Sequence, residues 1–336
     1  MAVMIRFHPL ALPMALAAFA LPFPAIAQDA PSPNQIVAEA AEEDWVKIAP
    51  EDLLVMTLAP DRDGEAREVV IQLMPEPFSQ GWVANIRTLA RAGWYDGISV
   101  NRVQDNYVVQ WGDPNYDNPE AEGSATPLPD GLSEVPERAY TVPWPTAFTG
   151  NKQKAYSSYK ASWWPWHTPD PAKDSYARET GFLDGFPFAN NAEGVWPVHC
   201  YGMVGVGRGM SPDTGSGAEL YTVIGHAPRH LDRNIALVGR VVSGIEHLSS
   251  LPRGSGALGF YTSEEADERT PILSIRVASD LPTAEQPEFE YLSTESETFT
   301  RYAEARANRR DPFFIVPAGG ADICNIPVPV RATPAE

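Results

Sequence analysis

Two polar side chains that could do chemistry, Arg102 and Gln110, stand in or beside two short β-branched runs. Arg102 is the only cation of Ile98–Val103, and Gln110 directly follows Tyr107–Val109. Successive strand residues point to opposite faces, so Val100 and Arg102 are predicted to share a face. An arginine there either points to water or is a functional group held over a pocket. Gln110 either satisfies nearby backbone groups or has a functional role.

The cysteines and histidines are the other candidates for chemistry. The chain has two cysteines, Cys200 and Cys324. In an oxidising compartment this even count suggests a disulfide, and the alternative is two buried free thiols. His226 and His230 have the spacing of paired metal ligands on a helix, but Pro228 between them argues against a helix. We therefore expect no metal site, and we predict no cofactor.

The elements that must position these groups are predicted from periodicity and turn signals. A helix is expected between Ser79, as its N-cap, and Gly93, with an apolar stripe that faces a sheet. Two further helices are expected at 243–251 and 295–308. Strands alternating with turns suit a barrel, and they are predicted at 53–58, 68–73, 98–103, 107–109, 202–208, 220–224, 235–242 and 271–277.

The N-terminus predicts export. Residues 1–27 are interpreted as a signal peptide, because the uncharged apolar run Leu10–Ala25 leads into an Ala-x-Ala cleavage site that ends at Ala27. An uncleaved anchor is the alternative, although the apolar run is short for a membrane span. We expect a mobile leader at 28–50 and an exported, periplasmic monomer without an integral membrane segment after processing. The net charge of −19 disfavours nucleic acid as a partner.

The remaining chain divides into a main domain at 51–280 and a C-terminal extension at 281–336. Within the main domain, residues 115–197 are predicted to be a loop-rich insertion with a short helix near Tyr156. The insertion is too aromatic to be disordered throughout, so we expect it to pack on the barrel as a flap. Trp163–Trp166 either anchor this flap or form a binding platform for sugars or peptides.

The stretch that holds Arg102 resembles the signature segment of cyclophilins, the proline isomerases with an eight-stranded barrel. That family has Phe-His-Arg-Val/Ile, then an aromatic residue, a Met, a Gln and a Gly-Asp. The spacing from Arg102 to Gln110 and Asp113 matches without a gap. The chain is identified as a divergent, exported bacterial member, and the likeness covers 53–114 and 198–280. Its second block contains the similar motifs Gly202–Arg208, Ser211–Thr214, Glu219–Thr222, His230–Asp232 and Ile235–Val241.

The resemblance implies a mainly β fold, a closed eight-stranded cyclophilin-like barrel capped by helices, to which the insertion and the C-terminal extension are added. It implies that Arg102 is catalytic and that Gln110 holds a substrate carbonyl or orients Arg102. The implied substrate-binding residues are Tyr107, Val108, Val206, Gly207, Arg208, Glu219, Tyr221, His230, Leu231 and Ile235, with Leu220 behind the pocket.

Several of these positions depart from the family pattern. Asn101 stands where a histidine usually precedes the arginine, and Tyr221 adds a hydroxyl where the family has phenylalanine. Glu219 replaces a glutamine and could pair with Arg102 or Arg208. Other replacements make the pocket more aliphatic than usual; they are Val108 and Val206 for methionine, Leu220 for phenylalanine and Ile235 for histidine.

The resemblance implies a peptidyl-prolyl cis-trans isomerase that acts on Xaa-Pro bonds of exported proteins and assists their folding. Its partners would be proline-containing polypeptide clients. The altered pocket leaves a second hypothesis open, a catalytically weak cyclophilin-fold binding or scaffold protein of the cell envelope. A third hypothesis is a glycan-binding module that uses the tryptophans of the insertion.

Overall fold

The computed structural model describes residues 30–116, 121–147 and 174–334. In these ranges the α-helices are α1 (Pro33–Ala38), α2 (Gln80–Arg91), α3 (Trp144–Ala147), α4 (Glu246–Ser249) and α5 (Glu297–Ala307). The strands are β1 (Trp45–Lys47), β2 (Leu53–Leu58), β3 (Arg67–Leu73), β4 (Ser99–Val103), β5 (Val108–Gly112), β6 (Glu179–Leu183), β7 (Phe186–Asn190), β8 (Val195–Pro197), β9 (Met203–Val206), β10 (Leu220–Val223), β11 (Leu237–Ser243), β12 (Ile272–Val277), β13 (Phe289–Leu292) and β14 (Val330–Ala332).

The central sheet is an antiparallel barrel of eight strands in the order β12-β2-β3-β11-β9-β10-β5-β4. Its two outer strands meet through backbone hydrogen bonds. The N–H of Ile272 donates to the carbonyl of Ile98 at 2.8 Å, and the N–H of Val100 donates to that of Thr270 at 2.9 Å. Closure of this kind leaves no long free edge. The predicted mainly β, eight-stranded fold is therefore confirmed.

Strands β2 and β3 are buried on both faces, and alternate residues serve two different cores. Leu54 and Ile71 belong to the large core inside the barrel. Leu53 and Val70 belong to a smaller outer cluster that also contains Tyr291 of β13. A period of two residues thus explains both cores, and the C-terminal extension covers the outside of the barrel at these strands.

Helix α2 packs its apolar stripe into the barrel core. Trp82 and Ile86 are fully buried there. The indole of Trp82 also donates to the carbonyl of Gly215 at 3.0 Å and stacks on Tyr140 at 5.4 Å. Ser79 precedes the helix as predicted, but its φ of 55° is left-handed and its side chain makes no capping hydrogen bond. The predicted N-cap position of Ser79 is therefore confirmed, although its side chain does not bond to the first turn.

A β-bulge in β4 changes which side chains share a face. Val100 pairs with Trp111 and Arg102 pairs with Gln110, so the register shifts between them. Because Trp111 and Gln110 are neighbours on β5, they point to opposite faces, and so do their partners. The expectation that Val100 and Arg102 share a face is therefore wrong. The bulge sends Val100 into the core and leaves Arg102 on the other side of the sheet.

The insertion is more regular than its composition predicts. Its later part forms the antiparallel sheet β6-β7-β8, which the sequence analysis missed. Its earlier part packs along α2, where Asn85 exchanges hydrogen bonds with the backbone of Ser133 at 2.9 and 2.8 Å. The predicted helix near Tyr156 and the Trp163–Trp166 platform lie outside the described residues.

Arg240 docks the small sheet onto the barrel. Its guanidinium is buried and donates to Gln72 of β3 at 2.9 Å and to the carbonyl of Gly185, in the β6–β7 turn, at 2.8 Å. It also lies over the ring of Phe186, 4.7 Å from the centroid. Burial lowers the pKa of Arg240 to about 10, which still leaves it charged at neutral pH.

The leader and the C-terminal extension join in a third sheet. Strand β13 pairs with β1 on one side and with β14 on the other, while α1 packs against α5. The described part of the predicted 28–50 mobile leader is thus paired and packed, because its Trp45 and Ile36 are buried. The predicted signal peptide, 1–27, lies outside the described residues.

A disulfide fixes the extension to the main domain. Cys200, between β8 and β9, is bonded to Cys324 in the Pro-rich tail, 124 positions later. The alternative of two free thiols does not hold. In the described part of the chain, no helix is both long enough and apolar enough to cross a membrane.

Candidate active site

A cavity of about 550 Å³ lies on the side of β4, β5 and β10 that faces away from the buried Trp111. Its lining combines charged and amide groups with aromatic and aliphatic walls. The lining residues are Arg102, Tyr107, Val108, Gln110, Asn115, Ala121, Gly207, Arg208, Glu219, Tyr221, Leu231, Ile235, Leu258 and Phe260.

Most of the residues named from the sequence converge on this cavity, but three do not line it. Val206 and Leu220 are fully buried in the barrel core, since they point to the inner face of β9 and β10. His230 stands beside the cavity, where its ring stacks on Tyr107 at 6.3 Å between centroids. Val206 and Leu220 therefore lie behind the cavity wall, whereas His230 is exposed at its edge.

Four residues of the lining were missed: Asn115, Ala121, Leu258 and Phe260. The first two open the insertion, so the insertion reaches the edge of the cavity. The other two lie in the loop before β12, where Phe260 forms an isolated bridge with Arg102. No motif marks this loop, so the sequence carries no signal that would place it opposite Arg102.

Arg102 is held over the cavity by neutral acceptors. Its Nε donates to the carbonyl of Leu258 at 2.7 Å, one terminal nitrogen donates to Gln110 Oε1 at 3.2 Å, and the other donates to Gln104. A guanidinium has five N–H groups, so two remain for a substrate within the described part of the site. Burial lowers the pKa of Arg102, and no carboxylate among these partners neutralises its charge.

Aromatic faces flank the guanidinium on two sides. Its central carbon lies 5.6 Å from the ring centroid of Tyr107 and 5.5 Å from that of Phe260. Contacts of this length stabilise a cation that is partly withdrawn from water. Arg102 is therefore an oriented, partly desolvated donor rather than a surface arginine.

Gln110 connects Arg102 to Glu219. Its Oε1 accepts from Arg102 and its Nε2 donates to Glu219 Oε2 at 3.4 Å, which fixes the orientation of the amide. Glu219 is buried, and its carboxylate lies against the bare Cα of Gly112, where a Cβ would overlap it. Gly112 is therefore required at this position for Glu219 to reach Gln110.

Asn101 has a structural role where the family pattern has histidine. It is buried, its Nδ2 donates to the carbonyl of Gly112 at 2.9 Å, and its Oδ1 accepts from Ser99 at 2.7 Å. These bonds fasten the bulge of β4 to β5. Asn101 thus sets the position of Arg102 without entering the cavity.

The walls of the cavity suit a small apolar ring. Tyr107, Tyr221, Val108 and Ile235 pack together as a separate cluster on this side of the sheet. The hydroxyl of Tyr221 points away from the cavity and meets His199 at 2.8 Å. Its ring can therefore act as an apolar wall despite the added hydroxyl. The arrangement can grip a hydrophobic ring while Arg102 donates hydrogen bonds to a polar atom beside it.

Comparisons with known proteins identify the family and the fold. The sequence profile of the family described as cyclophilin type peptidyl-prolyl cis-trans isomerase/CLD matches residues 65–277. Among solved structures, the cyclophilin AquaCyp293 from Hirschia baltica matches with a TM-score of 0.58 at 21% identity, over 88% of this chain and 100% of that one.

A second solved structure has a lower structural similarity. A Cryptosporidium parvum cyclophilin type peptidyl-prolyl cis-trans isomerase, in the presence of the dipeptide Ala-Pro, matches with a TM-score of 0.34 at 9% identity. That match covers 66% of this chain and 97% of the other. No curated protein matches the sequence.

Proposed function

The chain belongs to the cyclophilin-type peptidyl-prolyl cis-trans isomerase family, and on this premise we propose that it isomerises Xaa-Pro bonds of exported proteins with Arg102 as its catalytic donor. The isomerase activity follows from the family. The assignment of Arg102, the compartment and the clients are our proposal. The observation that carries it is a charged guanidinium that, among the described residues, donates to neutral acceptors over a cavity with aromatic and aliphatic walls.

The chemistry requires a cation at this place. Rotation about a peptide bond has a barrier of ~18–20 kcal/mol because the C–N bond has partial double-bond character. An N–H of Arg102 that donates to the prolyl nitrogen withdraws its lone pair from that resonance. The donation is stronger in the twisted amide than in either planar form, so it lowers the barrier. No covalent bond to the substrate is needed.

The apolar walls hold the ring while the bond rotates. Tyr107, Tyr221, Leu231 and Ile235 line the same cavity as Arg102. Burial of a proline ring against them supplies binding energy without adding polar contacts that would favour one planar isomer. Gln110 keeps Arg102 oriented through its bond to Glu219.

Export is supported by two independent features. The first is the predicted signal peptide at 1–27. The second is the disulfide between Cys200 and Cys324, a bond that persists in oxidising compartments such as the periplasm. We propose that the mature protein begins at Gln28, works in the periplasm and assists the folding of proline-containing clients there.

Refolding of an exported, disulfide-bonded protein whose slow phase is limited by proline isomerisation tests this function. The mature chain is expected to accelerate the slow phase, whereas Arg102→Ala is expected to leave it near the uncatalysed rate. Mass spectrometry of the exported chain should place its first residue at Gln28. Equal rates of the slow refolding phase with wild type and Arg102→Ala would reject the catalytic assignment. Binding of the client protein without faster refolding would favour the scaffold hypothesis.

A further inference from the structure

The hydroxyl of Tyr221 leads from the cavity wall into a buried polar chain. It lies 2.8 Å from Nε2 of His199, whose side chain is 1% exposed, and the two rings are nearly parallel at 8°. Burial raises the pKa of Tyr221 well above 10, so the hydroxyl keeps its proton. His199 lies between β8 and Cys200, just after the insertion, and takes no part in the chemistry described above.

Asp232 fixes which nitrogen of His199 carries the proton. Asp232 Oδ1 lies 2.9 Å from His199 Nδ1 and also accepts the backbone N–H of His199 at 3.0 Å, while Oδ2 accepts from Arg229 at 2.8 Å. Burial opposes ionisation of Asp232, but the hydrogen bonds from His199 and Arg229 outweigh it and lower its pKa. Nδ1 is then the donor, Nε2 is the acceptor, and the Tyr221 hydroxyl must donate inward.

This buried chain of polar contacts ends at the C-terminal extension. Arg229 is buried and donates to both carboxylate oxygens of Asp174 at 3.0 and 3.2 Å, and Asp322 lies 3.8 Å away. Asp322 is two positions before Cys324, which is bonded to Cys200. The segment around His199 is thus fastened to the extension by both an ion pair and a disulfide.

We infer that His199, held by Asp232, is a positioning residue that points the Tyr221 hydroxyl away from the cavity and so keeps the proline-binding wall apolar. This inference rests on the proposed function. It explains how the pocket tolerates tyrosine at this position. Without an inward acceptor, the hydroxyl must either stay buried without a partner, which destabilises the folded protein, or turn toward the bound ring, which weakens binding of an apolar ring.

Two substitutions of His199 separate positioning from packing. The amide of Gln can reach the place of Nε2, whereas the amide of Asn reaches only the place of Nδ1. His199→Gln therefore keeps a partner for Tyr221, and His199→Asn keeps the bond to Asp232 but loses that partner. We expect His199→Asn to bind an Ala-Pro-containing peptide about tenfold more weakly, with a smaller change in the cis-trans isomerisation rate of the bound peptide. We expect the affinity of His199→Gln to stay within about threefold of wild type.

The second-site variant is the sharper test. Tyr221→Phe in the His199→Asn background removes the hydroxyl that has lost its acceptor, so the double variant is expected to recover most of the lost affinity. A role of His199 in stability alone would give no recovery. Peptide affinity is measured by NMR titration, and near-ultraviolet circular dichroism verifies that each variant is folded.

A measurement on the unaltered protein covers the case in which a variant does not fold. The ¹⁵N shifts of His199 at pH 7 should show a neutral ring with the proton on Nδ1. A proton on Nε2 would overturn the inference, as would unchanged affinity in folded His199→Asn or no recovery in the double variant. Failure of the wild-type protein to bind the peptide would instead reject the proposed function, and the nitrogen shifts would still decide the position of the proton.

Discussion

At the scale of single residues, the site depends on the orientation of one charge. Among the described residues, the hydrogen-bond acceptors of Arg102 are neutral: two side-chain amides and a backbone carbonyl. A direct carboxylate partner would hold the guanidinium more tightly but would also neutralise the charge that the substrate nitrogen needs. The structure instead places Glu219 behind Gln110, 3.4 Å from the amide nitrogen. The carboxylate thereby orients the arginine without pairing with it.

Gly112 provides the space for this arrangement, which gives a first prediction. Gly112→Ala adds a Cβ that overlaps the Glu219 carboxylate, so Glu219 must move and Gln110 loses its orientation. We expect isomerase activity to fall about tenfold, equivalent to ~1.4 kcal/mol of barrier, and the free energy of unfolding to fall by ~1–3 kcal/mol. Peptide isomerisation and urea unfolding measure the two effects.

The control is Gly320→Ala, where nothing lies within 4 Å of the added Cβ. It should leave activity and stability near the wild-type values. Equal activity of Gly112→Ala and wild type would show that the position of Glu219 does not matter to the site.

His199 gives a second prediction, for stability against pH. Burial lowers its pKa from the ordinary value of 6.5, and the bond to Asp232 offsets this only in part. Between the lowered value and 6.5 the unfolded chain binds a proton that the folded protein does not. Stability from this group is therefore complete above pH ~6.5 and is lost as the pH falls toward the folded pKa.

Thermal unfolding at about pH 7.5 and about pH 5.5 tests whether the stability contributed by His199 falls as the pH falls. The groups that face His199 are Asp232, Tyr221, Arg229 and His230. The pKa of Asp232 is lowered, so its own contribution is lost only at lower pH, below its ordinary value of 3.8. Wild type should lose more stability on acidification than His199→Gln. An equal or smaller loss in wild type would contradict the burial argument.

At the scale of elements, the bulge in β4 decides which way the arginine points. Asn101 is the extra residue, and its bonds to Gly112 and Ser99 hold it in the sheet. The sequence predicts both strands of this hairpin and the spacing from Arg102 to Gln110. Alternation alone predicts the wrong face for Val100 relative to Arg102. The bulge is held by side-chain hydrogen bonds, and these leave no signal in the hydrophobic pattern of the sequence.

The disulfide gives a third prediction at this scale. Replacing both Cys200 and Cys324 by serine removes a link that closes a loop of 124 positions. In the entropic account this lowers the free energy of unfolding by up to ~4–5 kcal/mol. Denaturant unfolding should show the same loss when the wild-type protein is reduced. A variant as stable as the oxidised wild type would show that the extension stays docked without the link.

At the scale of the whole molecule, the sequence predicts the barrel better than what surrounds it. Barrel strands such as β2 and β12 contain β-branched residues and are bounded by turns. They also lie in the part of the sequence that resembles the family. The small sheet β6-β7-β8 was missed because its strands contain Pro187 and Pro197 and lie in a Pro-rich segment of the sequence. The packed segment at 33–47 was missed because its burial depends on β13, about 240 residues later.

The site shows the same limit. Arg102, Tyr107 and Gln110 follow from one contiguous motif, so their convergence was predictable. Phe260 reaches the pocket, and His199 reaches the far side of its Tyr221 wall, only through tertiary contacts: the bridge to Arg102 and the hydrogen bond to Tyr221. Their neighbouring sequence carries no pattern for these contacts, and only the closed barrel brings them into place.

The central claim is that Arg102 lowers the barrier to rotation of a bound Xaa-Pro bond. Exchange NMR spectroscopy of an Ala-Pro-containing peptide measures this directly, as the interconversion rate of the cis and trans forms with catalytic amounts of protein. We expect wild type to accelerate the exchange and Arg102→Ala to reduce it at least about 100-fold, equivalent to ~2.7 kcal/mol. Arg91→Ala, which removes an exposed arginine of α2 paired with Glu51 and Asp280, should keep wild-type activity. Equal rates for Arg102→Ala and Arg91→Ala in folded proteins would contradict the account.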